Sequence, residues 1–332
     1  MARKIILASL IALLAIPAAY SGGQKESAQS GPVTIRLASI LAQTTPVMQG
    51  AQKFADILKK NSDGKIDVKI YAGGTMGGEN DNLESLKMGE LQMGIFGTLP
   101  ITMLTPKYSF FDAPFLFRDK AHFMSVWNGK LGKDMQGILL NDHGIRILGL
   151  AGRGDRHITS SVPVESVDDM PKLKIRTPQS KPFMTNFSAL GSIVVPIALP
   201  ELFTSLQAGV VNASEGPFDQ IVTNKLHEVQ KHIALISHYP LSPSLWMMNE
   251  KFFKGLSDSQ KSMIEKAAVE ATEYASKLGI DREAELMKVC TDRGVKLTKV
   301  DIKPFIAKVQ PALTKLFAEM WPVTTPEEIA KY

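Results

Sequence analysis

Between Ser257 and about residue 289 the side chains Ile264, Ala267, Ala268, Ala271, Ala275 and Leu278 recur at three- and four-residue spacing, the pattern of a helix with one apolar face. Ser257 followed by Gln260 supplies a capping-box start. Some thirty residues rising about 1.5 Å each would span roughly 50 Å, more than the diameter of one small domain. A helix of that length can brace two lobes. Gly279 lies inside the run and leaves a bend or a break there open.

The opening of the chain gives the layer grammar. Val33, Ile35 and Leu37 alternate as a strand; Val47, Ala51, Phe54, Ala55 and Leu58 follow helical spacing over residues 46–60; Ile66, Val68 and Ile70 alternate again. Strand, helix, strand is the pattern of a sheet covered by helices. The stretch AGGTMGG at 72–78 matches neither a dinucleotide nor a phosphate-loop spacing. It reads as a tight loop feeding a helix over 79–88. Leu91–Phe96 reads as a strand ending in Gly97 and Thr98, where open α/β sheets meet small ligands. FFDAPFLF at 110–117 reads as a packed core segment before a pocket wall. A helix from about 121 to 140, a strand at 145–150, a glycine-rich turn holding Arg153 and Arg156, and a short strand at 173–177 carrying Arg176 follow. Ser180 can cap the next helix, Ile193–Val195 forms a brief strand, and a further helix starts near Pro200.

The N-terminus carries an export address. Arg3 and Lys4 precede an uncharged run from Ile5 to Ile16 and then small residues, the layout of a cleaved signal peptide. Residues 24–32 form a polar tether. No later run is long and apolar enough to cross a bilayer, so the mature protein is expected to be soluble. Cys290 is the single cysteine, which excludes an intramolecular disulfide and a cysteine-built metal site. The net charge of +5 is spread along the chain, not gathered into a nucleic-acid-binding stripe.

Catalytic signals are weak. There is no H-E-x-x-H or G-x-S-x-G, and the six histidines show no ligand spacing. Arg156 and Arg176 offer more, because a guanidinium grips a carboxylate with two parallel hydrogen bonds. On spacing alone both read equally as solvent-exposed charges.

The order of these pieces resembles the extracytoplasmic solute-binding proteins of tripartite ATP-independent periplasmic (TRAP) transporters, of the dicarboxylate-binding DctP type. The resemblance runs over about 33–322. It rests on GIRILGLAGRGDRHITS, LKIRTPQS, ALGSIVVPIALPELFTSLQAGVV and EVQKH, with YAGGTMGGENDNLESLKMGE, DAPFLF and LWMMNEKFF in support. It implies an α/β, two-lobed periplasmic binding protein fold, with hinge strands and a long helix spanning both lobes. The expected organisation is a signal peptide at 1–22, a tether at 23–32 and lobe I over 33–153. Lobe II then spans 154–240, with a lobe I return and the long helix over 241–281, and the remainder, mainly lobe II, over 282–332.

In that family the arginine ending L-K-I-R forms the main salt bridge to the ligand carboxylate, which the resemblance carries onto Arg176. The arginine of G-x-R-x-x-T, matched by Gly154, Arg156 and Thr159, supports the same anion. One departure stands out: the family's D-G-x-E-N-P reads Asn212, Ala213, Ser214, Glu215, Gly216 and Pro217 here. The asparagine amide is missing at Gly216, which is expected to leave space for a bulkier or less polar acid. Further pocket candidates are Gln43, Thr44, Glu79, Thr98, Ser180, Asn212, Phe218 and Trp246. The expected function is capture of a small organic anion in a closing cleft outside the cytoplasmic membrane and delivery to the TRAP permease subunits, with no catalytic residue, cofactor or metal. The alternatives are ligand presentation to a membrane sensor and, behind it, an exported organic-acid enzyme.

Overall fold

The computed structural model describes residues 31–332; the expected signal peptide and nearly all of the tether lie outside them. Among the described residues eleven strands follow one another: β1 Val33–Ser39, β2 Ile66–Tyr71, β3 Met93–Phe96, β4 Ile145–Gly152, β5 Arg156–Ser160, β6 Lys174–Thr177, β7 Ile193–Pro196, β8 Ala213–Gly216, β9 His232–Tyr239, β10 Pro243–Asn249 and β11 Lys296–Lys299. They form a five-stranded sheet in the order β2-β1-β3-β10-β4 and a six-stranded sheet in the order β11-β9-β5-β8-β6-β7. In the first sheet β1 runs parallel to β2 and β3, and β10 returns antiparallel between β3 and β4. Val33, Ile35 and Leu37 of β1 point into the core, as the alternation requires. The helix Pro46–Asn61 covers them, started by Thr45, whose hydroxyl accepts from the Met48 amide.

Two strand pairs join the sheets. The chain leaves the first sheet between β4 and β5, and returns to it between β9 and β10. These crossings lie side by side: Gly152 pairs with Pro243, the Arg153 amide donates to the Leu241 carbonyl, and Arg156 pairs with Tyr239. A two-stranded ribbon is thus the hinge between two α/β lobes.

The third crossing is the helix Asp258–Asp292, capped by the reciprocal Ser257 and Gln260 bonds. Its 35 residues correspond to a length of roughly 50 Å. It packs on the helix Pro46–Asn61 and β4 on one side and on the helix Phe218–Thr223 on the other. Gly279 does not break it. The glycine is buried where the helix passes β4, and an added Cβ would stand 3.4 Å from the Gly152 carbonyl oxygen.

Some elements differ from expectation. The helix expected over 121–140 is two, Lys120–Asn128 and Lys130–His143, separated by Gly129 in an extended conformation. Gly132 allows the sharp junction, since any Cβ there would overlap the Trp127 carbonyl. Arg156 lies in β5, not in a turn. Strands β5, β8, β9, β10 and β11 and the helix Lys303–Glu319 were not anticipated. In FFDAPFLF the rings of Phe110, Phe111 and Phe117 stack in the core, whereas Asp112 faces the cleft described next.

Candidate functional site

The ends of β1, β3 and β6, with the hinge ribbon, enclose a cleft between the sheets. An inner chamber of about 80 Å³ holds Arg153, Arg156, Arg176 and Asp112. It opens into a mouth of about 250 Å³ bordered by Gly78, Asn80 and Gln179, with Glu79 and Arg176 shared by both.

The three arginines differ in what they already hold. Arg153, just after β4, donates Nε and Nη2 to the two oxygens of Asp219, both at 2.9 Å. Arg156 on β5 donates Nε to Glu215 Oε2 at 2.6 Å, Nη2 to Glu215 Oε1, and Nη1 to Ser242 Oγ at 2.9 Å. The Phe183 ring lies beneath its guanidinium. Burial alone would push the Glu215 carboxyl up, but Arg156 and His238 outweigh it and hold the pKa at about 2. Arg176 has no carboxylate partner among the described residues. Its Nε donates to the Ile197 carbonyl at 2.8 Å, which fixes the fork and leaves both terminal nitrogens for another acceptor. Burial, opposed by Glu215, lowers its pKa to about 10, so it stays a cation at neutral pH.

Two acids face these cations. Glu79 opens the helix Glu79–Met88, delivered by the glycine loop after β2 and capped by Asp81, which accepts from the Gly78 amide at 2.8 Å. Its Oε1 accepts from the Gly97 amide; burial raises its pKa and that bond opposes the rise. Asp112 accepts hydroxyl bonds from Thr98, Thr102 and Ser180, yet burial still lifts it to about 6. Among the described residues no group of three His, Cys, Asp or Glu side chains is placed to hold a metal ion, and no helix is long and apolar enough to cross a membrane.

A buried, unpaired arginine in a cleft between hinged lobes is the geometry of an anion receptor. Residues 37–320 match the DctP family, described as bacterial extracellular solute-binding protein, family 7. The chain belongs to this family. It is 29% identical to the C4-dicarboxylate-binding periplasmic protein DctP of Rhodobacter capsulatus, over 89% of this chain and 87% of that one. It is 30% identical to the 2,3-diketo-L-gulonate-binding periplasmic protein YiaO of Escherichia coli, over 82% and 83%. The crystal structure of the sugar acid binding protein DctPAm from Advenella mimigardefordensis in complex with galactonate superposes with a TM-score of 0.86 at 29% identity, covering 90% of this chain and 97% of that one.

In this DctP-family protein Arg176, Arg156, Glu79, Thr98 and Ser180 line the cleft together. Ser180 stands at the head of the helix Lys181–Ala189 but makes no capping bond with its side chain; its hydroxyl goes to Asp112. The other candidates lie elsewhere. Trp246 is fully buried in the first lobe, edge-on to Phe54, and Phe218 packs in the core against the His157 ring. Asn212 joins strands, accepting from the Lys174 amide and donating to the Lys172 carbonyl. Gln43 is exposed; Thr44 is exposed too and borders a separate depression beside Asp219. Thr159 bonds Gln230 inside the second lobe.

Gly216 does not leave the expected space. A Cβ there would come within 2.3 Å of Gln220 Nε2. The Gln220 side chain, anchored on the Glu215 carbonyl at 3.1 Å, fills the volume and lines the cleft. An amide is present after all, supplied from one helical turn further on. Sequence reasoning also missed Asp112 as a cleft residue. The signal was an ionisable group inside an otherwise apolar run, which is costly to bury unless hydrogen-bonded.

Proposed function

We propose that this chain captures a small organic acid between its lobes, with the ligand carboxylate held by the Arg176 fork, and passes it to the membrane subunits of a TRAP transporter. The observation that carries this reading is the contrast between the three arginines of the cleft. Arg153 and Arg156 are satisfied by Asp219 and Glu215, whereas Arg176 is buried without an anionic partner among the described residues. A buried charge is costly until it is paired, so a ligand carboxylate both neutralises Arg176 and favours the closed arrangement. Arg156 has two of its five N–H groups left after its bonds to Glu215 and Ser242, enough for one supporting contact to the same anion. The ribbon of the two crossings supplies the hinge for closure.

The relatives support the ligand class: the proteins named above are described as binding a C4-dicarboxylate, a diketogulonate and a galactonate, all carboxylates. Export to the periplasm through residues 1–22 and the absence of any chemical step belong to the same proposal.

Native mass spectrometry of the purified mature protein, followed by identification of released small molecules, tests it. An organic acid recovered unchanged, which rebinds to the wild type and loses at least roughly a hundredfold in affinity in Arg176→Ala, is the expected result. Turnover of the compound, or equal binding by the variant, would overturn it.

A further inference from the structure

The outer face of the helix Asp258–Asp292 carries a pattern that capture in the cleft does not use. Val269 and Ile280 stand half-exposed on it. With the exposed Lys266, Glu273 and Lys277 they recur at intervals of three and four residues, which places all five on one stripe. Other charges of this helix are met within the chain: Glu265 by Arg146, Glu270 by Lys53, Arg282 by Glu285 and Lys288 by Asp292. Lys266, Glu273 and Glu283 have no ion-pair partner among the described residues. Lys277 has only Asp281, one turn further on, and an exposed pair of that kind is worth little. Two shallow depressions border the stripe. One of about 330 Å³ is walled by Val269 and its neighbours Lys266 and Glu273. The other, of about 390 Å³, lies between Ile280, Met124 of the helix Lys120–Asn128, and Gly152 and Leu241 of the crossings.

Along the helix the order is cation, aliphatic, anion from Lys266 through Val269 to Glu273, and the same again from Lys277 through Ile280 to Glu283. Such an order complements itself when two copies run antiparallel. We propose that this protein forms a weak twofold dimer in which the outer face of the helix Asp258–Asp292 packs antiparallel on the same face of a second copy. With the twofold axis between Tyr274 and Ala275, Val269 lies level with the partner subunit's Ile280 and Lys266 level with the partner subunit's Glu283. Glu273 then falls within one residue of the partner subunit's Lys277. Symmetry makes each contact twice, and each aliphatic side chain meets the depression beside the other. Half-exposed valine and isoleucine are ordinary on a surface. The decisive feature is that the two halves of the stripe match each other, which an isologous contact requires and an unrelated partner does not. The stretch from Lys266 to Glu283 is only about 25 Å long, at the small end for a specific interface, so association needs micromolar protein or more. None of the five stripe residues lines the cleft, and the dimer is independent of what the cleft binds.

Sedimentation velocity of the mature protein, from low micromolar to several hundred micromolar, tests the proposal on wild type, Glu273→Lys, Lys277→Glu and an equal mixture of the two variants. Both positions are exposed, and circular dichroism checks that each variant is folded. In wild type the sedimentation coefficient is expected to rise with concentration from the monomer toward the dimer value, less so in high salt, which screens the reciprocal charges. Glu273→Lys brings two cations face to face and Lys277→Glu two anions, each on both sides of the twofold axis. Each variant should therefore dimerise at least roughly tenfold more weakly than wild type. In the mixture every such contact between unlike copies again joins opposite charges, so a heterodimer of about wild-type strength is expected. Wild type that stays monomeric at every concentration overturns the proposal. So does a dimer that both charge reversals leave unchanged, which would place the contact on another face. A mixture no stronger than its components would equally refute the antiparallel register.

Discussion

Ser180 and Asp112 meet across the cleft, the serine hydroxyl donating to Asp112 Oδ2 at 2.9 Å. Asp112 ends the turn Pro106–Asp112 between β3 and β4, while Ser180 follows β6, so one bond ties elements attached to different sheets. Burial raises the Asp112 pKa from 3.8 to about 6 against the pull of its hydroxyl donors. The folded state therefore holds a proton that the unfolded chain has not yet taken up between about pH 6 and 3.8. Stability from this group rises as pH falls through that window and is lost as pH rises through it, by about 3 kcal/mol in all. Asp112→Asn abolishes this term. Denaturant unfolding of the two proteins across the window should show their stability difference shifting in favour of the wild type on acidification; a pH-independent difference would place Asp112 at an ordinary pKa.

Glu215 holds the opposite sign. It is fully enclosed, bonded by Arg156 and by His238 at 3.2 Å, and its pKa is depressed to about 2. Glu215→Ala leaves the buried Arg156 without its counter-charge, which costs roughly 3–5 kcal/mol. Equilibrium urea unfolding checks the value, and a loss below about 1 kcal/mol would show that Arg156 finds another partner.

Gly216 and Gln220 are coupled through space. In Gly216→Asn the new side chain displaces Gln220 from the Glu215 carbonyl, with an expected loss of about 1–3 kcal/mol. Adding Gln220→Ala vacates the volume and should recover part of that loss. Thermal unfolding of the two single variants and the double variant gives the coupling, and simple additivity would mean that the two side chains do not compete.

Gly50 is set by the long helix, not by a turn. Its Cβ position lies 2.7 Å from Ala275 Cβ and 2.9 Å from the Ala271 carbonyl oxygen, so the helices Pro46–Asn61 and Asp258–Asp292 touch backbone to backbone there. Gly50→Ala forces them apart at an expected cost of about 1–3 kcal/mol, outweighing the gain in helix propensity of about 1 kcal/mol. A variant as stable as the wild type in urea unfolding would show that the helix pair can slide.

The elements that a local signal defines were legible before any fold was known. The apolar period of residues 257–289, the capping box at Ser257 and Gln260, the helix at 79–88 and the first two strands depend on neighbours within one or two turns. The motif order led to the family and to Arg176. Elements without such a signal stayed hidden: β9 and β10 are buried on both faces over much of their length, so they carry no clean alternation, and Gly129 splits a helical pattern that reads as continuous.

What only the tertiary structure decided is which polar groups are already spent. Arg153, Arg156 and Arg176 are alike as residues, and 66 positions separate Arg153 from Asp219, as 59 separate Arg156 from Glu215. Pairing over such distances is imposed by the register of β5 against β8 and by the docking of the helix Phe218–Thr223. Trp246 and Phe218 were removed from the cleft, and Asp112 and Gln220 brought into it, by the same long-range packing. The sequence by itself determined the two-lobed α/β architecture and the charged residue types. Which charge remains open to a ligand is a property of the three-dimensional neighbourhood, because a buried ion's availability depends on its partners and not on its place in the chain.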